Sequence, residues 1–180
     1  MVRNLRRIME FLDRGYNMSD LEIKKDQPDP AKFKKNIVLL DFLSKMYPHL
    51  FFTNSRMIQP LQIGIYNTIR KDLRKRKLIP AYKAFVKNGY SFLKWYTSQT
   101  PYLCKILSSK SRINFDKSTT FIATSQKQYT LEKLKERILL LKSRGKQHDL
   151  NTVRFIRSVI FRYERFVNNK KYKNNSKKIR

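Results

Sequence analysis

The side chains in this chain best suited to chemistry are cations. Arg70, Lys71, Arg74 and Lys75 follow helical spacing, run on into Arg76 and Lys77, and have only Asp72 close by to balance them. Residues 31–126 carry 18 Lys and Arg against three acids, Asp41, Asp72 and Asp116, yet the same stretch is rich in Leu, Ile, Phe and Tyr. A folded core covered by one sign of charge repels itself, and a polyphosphate partner relieves that repulsion while releasing counterions. The indicated chemistry is anion binding, with nucleic acid the leading partner and an anionic membrane surface next. A solvated helix face is the ordinary reading of the 70–77 run, and its missing counter-charges are what favour binding.

Catalytic groups are sparse. Four glycines leave little scope for a phosphate-cradling loop, and the two histidines, His49 and His148, lie 99 positions apart. No His/Cys pair has metal-ligand spacing, and scattered single acids make a two-carboxylate nuclease centre improbable. His49 reads as a packed, hydrogen-bonded histidine, Cys104 as buried filler and Trp95 as core. The expectation is a non-enzyme with no metal and no cofactor.

Composition bounds the class. The 180 residues carry a net charge of +28, but 41% hydrophobic and 13% aromatic content is enough for a real core, unlike a disordered polycation. A single cysteine cannot close an internal disulfide, which suits a reducing compartment. No apolar run approaches the ~18 residues needed to span a bilayer. The N-terminal MVRNLRRIMEFLDRG places Glu10 and Asp13 where a signal peptide would have its apolar centre. We expect a soluble, cytoplasmic monomer with no membrane partner.

The elements that must position the cations follow from periodicity and breakers. Leu5, Ile8, Met9 and Leu12 predict a first helix closed by Gly15, Ser19 and Glu22 have capping-box spacing, and QPDP (27–30) is a linker. A helix over 30–46 turns Phe33, Ile37 and Leu40 inward and stops at Pro48. Another over 61–78 buries Ile63, Tyr66, Ile69 and Leu73. A third, over 80–96, carries Phe85, Phe92, Leu93 and Trp95. Thr97 and Ser98 cap a short helix holding Tyr102, Leu103, Ile106 and Leu107. The period then changes to two: 112–115 and 121–123 form a hairpin around the turn 116–120. Thr130 opens a helix with Leu131, Leu134, Ile138 and Leu141 on one stripe, ended by Gly145. Asp149 caps the last helix, whose stripe includes Leu150, Val153, Ile156, Ile160, Tyr163 and Val167. The fold class is mainly α with one small β-hairpin. Charge divides the chain into a neutral extension and linker (1–30, six basic and six acidic residues), a basic domain (31–142), and a basic C-terminal helix and tail (143–180) whose last eleven residues hold no acid.

Three stretches resemble the FinO/ProQ family of bacterial RNA chaperones. They are Tyr47-Pro48-His49-Leu50-Phe51, then Pro60-Leu61-Gln62-Ile63-Gly64-Ile65, and then Tyr96-Thr97-Ser98 with Tyr102-Leu103 and Arg112-Ile113-Asn114-Phe115-Asp116. The match covers about residues 35–135. The chain departs from the family in Ser108-Ser109-Lys110, where a Gly-containing turn is usual, in Gln62 at a commonly basic position, and in extra residues between 74 and 92. The resemblance implies a concave helical domain that binds structured small or antisense RNAs, above all a terminator hairpin with a single-stranded 3′ uridine tail, with messenger RNA as a further partner. On matched positions it implies that Tyr102, Arg112 and Lys94 belong to the RNA-binding face.

Those residue types suit the task. Duplex RNA is met through shape, phosphates and 2′-hydroxyls, which Arg70, Lys71, Arg74, Lys75, Lys94, Lys105 and Lys110 can contact. An unpaired tail suits an aromatic plate and a guanidinium fork: Tyr102 can stack on or hydrogen-bond a terminal nucleotide and Arg112 can grip a phosphate, and a helix start at Thr97 and Ser98 would offer free N–H groups to a phosphate. Tyr102 reads equally as a core tyrosine tied to backbone, and Arg112 at a strand start as a solvated edge charge. Arg154, Arg157, Arg162 and Arg165 would add secondary, salt-dependent duplex contacts. Arg112→Ala or Tyr102→Ala is expected to weaken terminator binding with the fold intact. Two rivals stand beside this reading. One is a helix-turn-helix DNA-binding regulator using Asn151, Arg154 and Arg157, although the turn KSRGKQHD is long for that motif. The other is a basic ribosome-associated structural protein.

Overall fold

The computed structural model describes residues 30–178. The expected first helix, the Ser19–Glu22 capping box and most of the QPDP linker lie outside them. Residues 38–180 form one compact unit, and the buried apolar residues described all belong to it.

Helix α1, Pro30–Met46, has the expected bounds, because proline suits a first helical position and Pro48 disfavours helix at the residue before it. Its inward stripe differs. Leu39, Leu43 and then Tyr47 are buried, while Phe33, Ile37 and Leu40 are half-buried. A second correction concerns residues 61–64, which are not helical. Leu61 pairs with Ile113 in a parallel bridge, Gln62 N–H donates to Ile113 O (2.9 Å), and Ile113 N–H donates to Pro60 O (2.8 Å). Gly64 then turns the chain at φ 80, a left-handed value that suits glycine, and helix α2 starts only at Ile65, running Ile65–Lys75. Ile63, expected in the core, is therefore 74% exposed, whereas Ile69 and Leu73 are buried and Tyr66 half-buried.

Helix α3, Ile79–Ser98, includes Thr97 and Ser98 in its last turn. They do not cap the next helix: their hydroxyls donate back to Leu93 O and Trp95 O, each at 2.8 Å. Gly89 is needed mid-helix because a Cβ there would lie 2.8 Å from the Phe85 ring. Helix α4, Thr100–Ser108, leads to strands β1, Ser111–Ile113, and β2, Thr119–Phe121, paired antiparallel with Arg112 opposite Thr120. The hairpin is present, with its second strand two residues earlier than expected and Lys117 at φ 68 in the turn. Helix α5, Thr124–Arg144, starts six residues before Thr130 and ends at left-handed Gly145. Helix α6, Gln147–Lys178, holds Asp149 inside its first turn and carries the acid-free run onward as helix to Lys178.

Two apolar clusters fill the unit. The first joins α1, the 47–61 loop, α2 and α3 through Leu43, Phe51, Ile69, Phe85, Phe92 and Tyr96. The second joins α5 and α6 through Leu134, Ile138, Val153 and Ile156. Helix α4 serves both: Tyr102 and Ile106 face the first, Cys104 and Leu107 the second. The boundary drawn at 142/143 thus falls inside one apolar cluster, since α6 packs on α5 and α4. Among the described residues no helix is long and apolar enough to cross a membrane.

Candidate nucleic-acid interface

An open groove of about 500 Å³ lies where the 60–62 segment, the end of α3, α4, β1 and the first turns of α5 meet. Its walls bring together Tyr102, Arg112 and Thr97 of the predicted residues, with Gln62, Gln126 and Tyr129. The meeting is built by β1, which has β2 on one side and residues 60–62 on the other. Two stretches 50 residues apart in sequence are thereby neighbours. Gln62 fastens them: its Nε2 donates to Thr68 Oγ1 (3.1 Å), and its Oε1 accepts from Phe115 N–H (2.7 Å).

Arg112 is held before any ligand arrives. Nη1 donates to Leu61 O (2.8 Å) and Nη2 to Gln126 Oε1 (3.0 Å), while the buried Nε has no partner among the described residues. A guanidinium has five N–H groups, and beyond these two bonds Arg112 is also within hydrogen-bonding reach of the Tyr102 phenol. No carboxylate is paired with it among the described residues, where the ion pairs are Lys45–Asp41, Arg76–Asp72, Lys133–Glu136 and Lys135–Glu132. The solvated edge charge considered for Arg112 is not what the fold makes of it.

Tyr102 is 4% exposed and packs edge-on to Tyr96, ring centroids 5.8 Å apart. Its ring therefore cannot act as a stacking plate for a nucleotide, which removes the stacking alternative and leaves the hydrogen-bonding one. Its hydroxyl, buried behind the groove wall, accepts from Leu61 N–H (3.0 Å). Burial pushes its pKa up, and the Leu61 N–H and the Arg112 charge pull it part of the way back. The phenol stays neutral and keeps a proton to donate. Leu61 thus ties the two residues together, its N–H to Tyr102 and its carbonyl to Arg112.

The exposed ring at the groove is Tyr129, at 65%, with Lys133 Nζ 5.7 Å from its centroid. Sequence reasoning misses it by starting the helix at Thr130. A start at Thr124 sets Gln126, Tyr129 and Thr130 on one face, a placement available from i, i+3, i+4 spacing. The α4 start likewise belongs to Thr100, so the free N–H groups expected at Thr97 and Ser98 fall to Thr100 and Tyr102 instead.

Outside the groove the cations divide. Lys83, Lys87, Tyr90 and Lys94 stand at i, i+4, i+7 and i+11 on α3, all exposed, and form a stripe about 16 Å long at 1.5 Å per residue that ends one turn before Thr97. Only Lys94 of these was expected. Tyr90 meets Tyr66 edge-on at 6.4 Å, and Arg70 lies over Tyr66 at 6.0 Å, so the α3 stripe adjoins the exposed Arg70, Lys71, Arg74 and Lys75 of α2. Asp72 does not neutralise that face: it accepts from the Tyr47 hydroxyl (2.8 Å) and pairs with Arg76 (2.7 Å). Lys105, half-buried, and exposed Lys110 do not line the groove. Arg154, Arg157, Arg162 and Arg165 are exposed on α6. The link before α6 is two residues, Gly145 and Lys146, not the longer turn expected. Lys127, near the groove, is structural: its Nζ donates to Leu107 O (3.2 Å) and Ser109 O (2.5 Å), at the end of α4. His49 Nε2 is hydrogen-bonded to Phe115 O (3.0 Å), and burial in the second cluster pushes the Cys104 thiol up to about 11.

A family model described as the ProQ/FINO family matches residues 33–147. No curated protein and no solved structure matches the chain.

Proposed function

The chain belongs to the ProQ/FINO family, a non-enzymatic family of RNA-binding chaperones, and we propose that its groove takes the unpaired 3′ end of a terminator hairpin while α2 and α3 carry the stem. The observation that carries this reading is Arg112, an anchored guanidinium without a carboxylate partner among the described residues, which lines one groove with Tyr102 and the exposed ring of Tyr129. A phosphate oxygen near the 3′ end meets the Arg112 guanidinium. The Tyr102 hydroxyl donates to a second oxygen of the terminal nucleotide, and Tyr129 stacks on its base. The stem, whose base edges are hidden, lies along Lys83, Lys87 and Lys94 and the α2 cations through its phosphates. Such a protein shields the 3′ ends of small or antisense RNAs in the cytoplasm and favours their pairing with target RNAs.

The test compares affinities for one hairpin with an intact uridine tail, with the tail clipped, and with a 3′-terminal phosphate. A hydrogen bond to a charged group contributes about 1.5–3 kcal/mol, so clipping or blocking should weaken binding about tenfold or more. Changing the stem sequence at constant length should have little effect, and duplex DNA should compete poorly. Equal affinity for all three ends would sink the reading.

A further inference from the structure

We propose that the outer face of α6 is a second binding site, for unpaired RNA. It lies almost wholly beyond residues 33–147, and it rests on RNA being the partner of this family, not on the groove reading. The inner face of α6 is fixed by Val153, Ile156, Val159 and Ile160, all buried. At 100° per residue Arg154, Arg162 and Arg165 fall on the opposite side and Arg157 on the flank between the two, and all four are exposed. Large rings stand among them, with Phe155 51% and Phe161 64% exposed. Phe161 comes four residues after Arg157 and four before Arg165, so it is flanked along one ridge by two guanidinium groups. On the next ridge Arg162 is turned back toward Phe155: its Nε donates to Ser158 O (3.1 Å), and Ser158 Oγ donates to Phe155 O (2.8 Å).

This pattern selects its occupant. Beyond Asp149 the helix has a single acid, Glu164, so the partner is anionic. Duplex RNA offers phosphates and 2′-hydroxyls but nothing for an exposed phenyl ring, whereas an unpaired strand offers base faces as well. A membrane-seated helix needs a continuous apolar face. Here that face is buried in the protein, and the outward rings are separated by arginines. Phe155 and Phe161 are about 9 Å apart along the axis, so they would hold different bases, with the arginines on the phosphates between. The duplex contacts expected for these arginines are thus replaced by contacts to a single strand.

The experiment uses the full chain and an unstructured RNA of about a dozen nucleotides, closed by a 3′-phosphate so that a groove selective for a free end does not contribute. The parent should bind it, Phe155→Ala/Phe161→Ala should weaken binding about tenfold or more, and Phe155→Tyr/Phe161→Tyr should retain it. Leucine at both positions keeps apolar bulk without a stacking face and should behave like alanine. A circular-dichroism melt identifies any variant that fails to fold, and the tyrosine pair then decides alone. The idea is overturned if the parent ignores the oligonucleotide, or if the alanine or leucine pair binds as the parent does. It is equally overturned if the rings instead drive self-association in sedimentation or capture of phosphatidylserine vesicles. A hairpin with a free uridine tail, measured in parallel, reports the groove: its failure to bind would reject the groove reading while leaving the α6 result standing.

Discussion

Arg112 and Tyr102 are coupled through the backbone of one residue, Leu61, which donates its N–H to the phenol and accepts from the guanidinium. Removing the Tyr102 side chain therefore does more than remove a contact to RNA. The buried ring belongs to the first apolar cluster, and truncating a large buried aromatic costs about 3–5 kcal/mol. Tyr102→Ala should thus lower the melting temperature markedly, contrary to the expectation of an intact fold. Tyr102→Phe is the informative change. It leaves Leu61 N–H unpaired, a cost of about 1–3 kcal/mol, and removes the proton offered to the terminal nucleotide. We expect a folded protein with a moderately lower melting temperature and about tenfold weaker binding to the tailed hairpin. Unchanged affinity in filter binding would return Tyr102 to a purely structural role. That this tyrosine and this arginine share one groove was legible from the matched motifs. How each is held was not, because it depends on Leu61, 41 residues from Tyr102 and 51 from Arg112.

Elements were legible where local chemistry decides them. Pro30 and Pro48 bracket α1, Gly145 ends α5, and the change of period marked the hairpin. They were illegible where a distant partner decides: residues 61–63 have helical spacing, but the edge of β1 takes their backbone hydrogen bonds. The α3 stripe shows a third case, in which the spacing was visible but extra residues between 74 and 92 blocked transfer from the family pattern. Exposed Lys83, Lys87 and Lys94 form one track, and each phosphate contact steepens the dependence of log affinity on log salt by about 0.7–0.9. Replacing all three by glutamine should therefore flatten that slope by about two units for the tailed hairpin. The fold should be untouched, since none of the three is buried or paired among the described residues. An unchanged slope would take the stem off α3.

At the scale of the whole molecule, the two apolar clusters share α4, and both bury groups that must give up a proton in alkali. Tyr47, Tyr96 and Tyr102 lie in the first cluster and Cys104 in the second. Burial raises all four, Tyr96 to about 12 and Cys104 to about 11, and the Asp72 carboxylate adds to the rise at Tyr47. The sign comes from proton counts. Above the ordinary thiol and phenol values the unfolded chain has released protons that the folded chain still holds, so unfolding is favoured as pH rises. Stability contributed by these groups is complete below pH of about 8.5 and declines first through Cys104, then from about pH 10 through the tyrosines. Melting temperatures measured from pH 8 to 11 should stay level and then fall in those two stages. Absorbance at 295 nm should show tyrosinate appearing together with unfolding. Cys104→Ala should lower the plateau slightly, through the small void it leaves, and abolish the earlier stage alone. A melting temperature that is flat to pH 11 would mean that these protons leave without disturbing either cluster, and the buried placement of the four side chains would then be wrong.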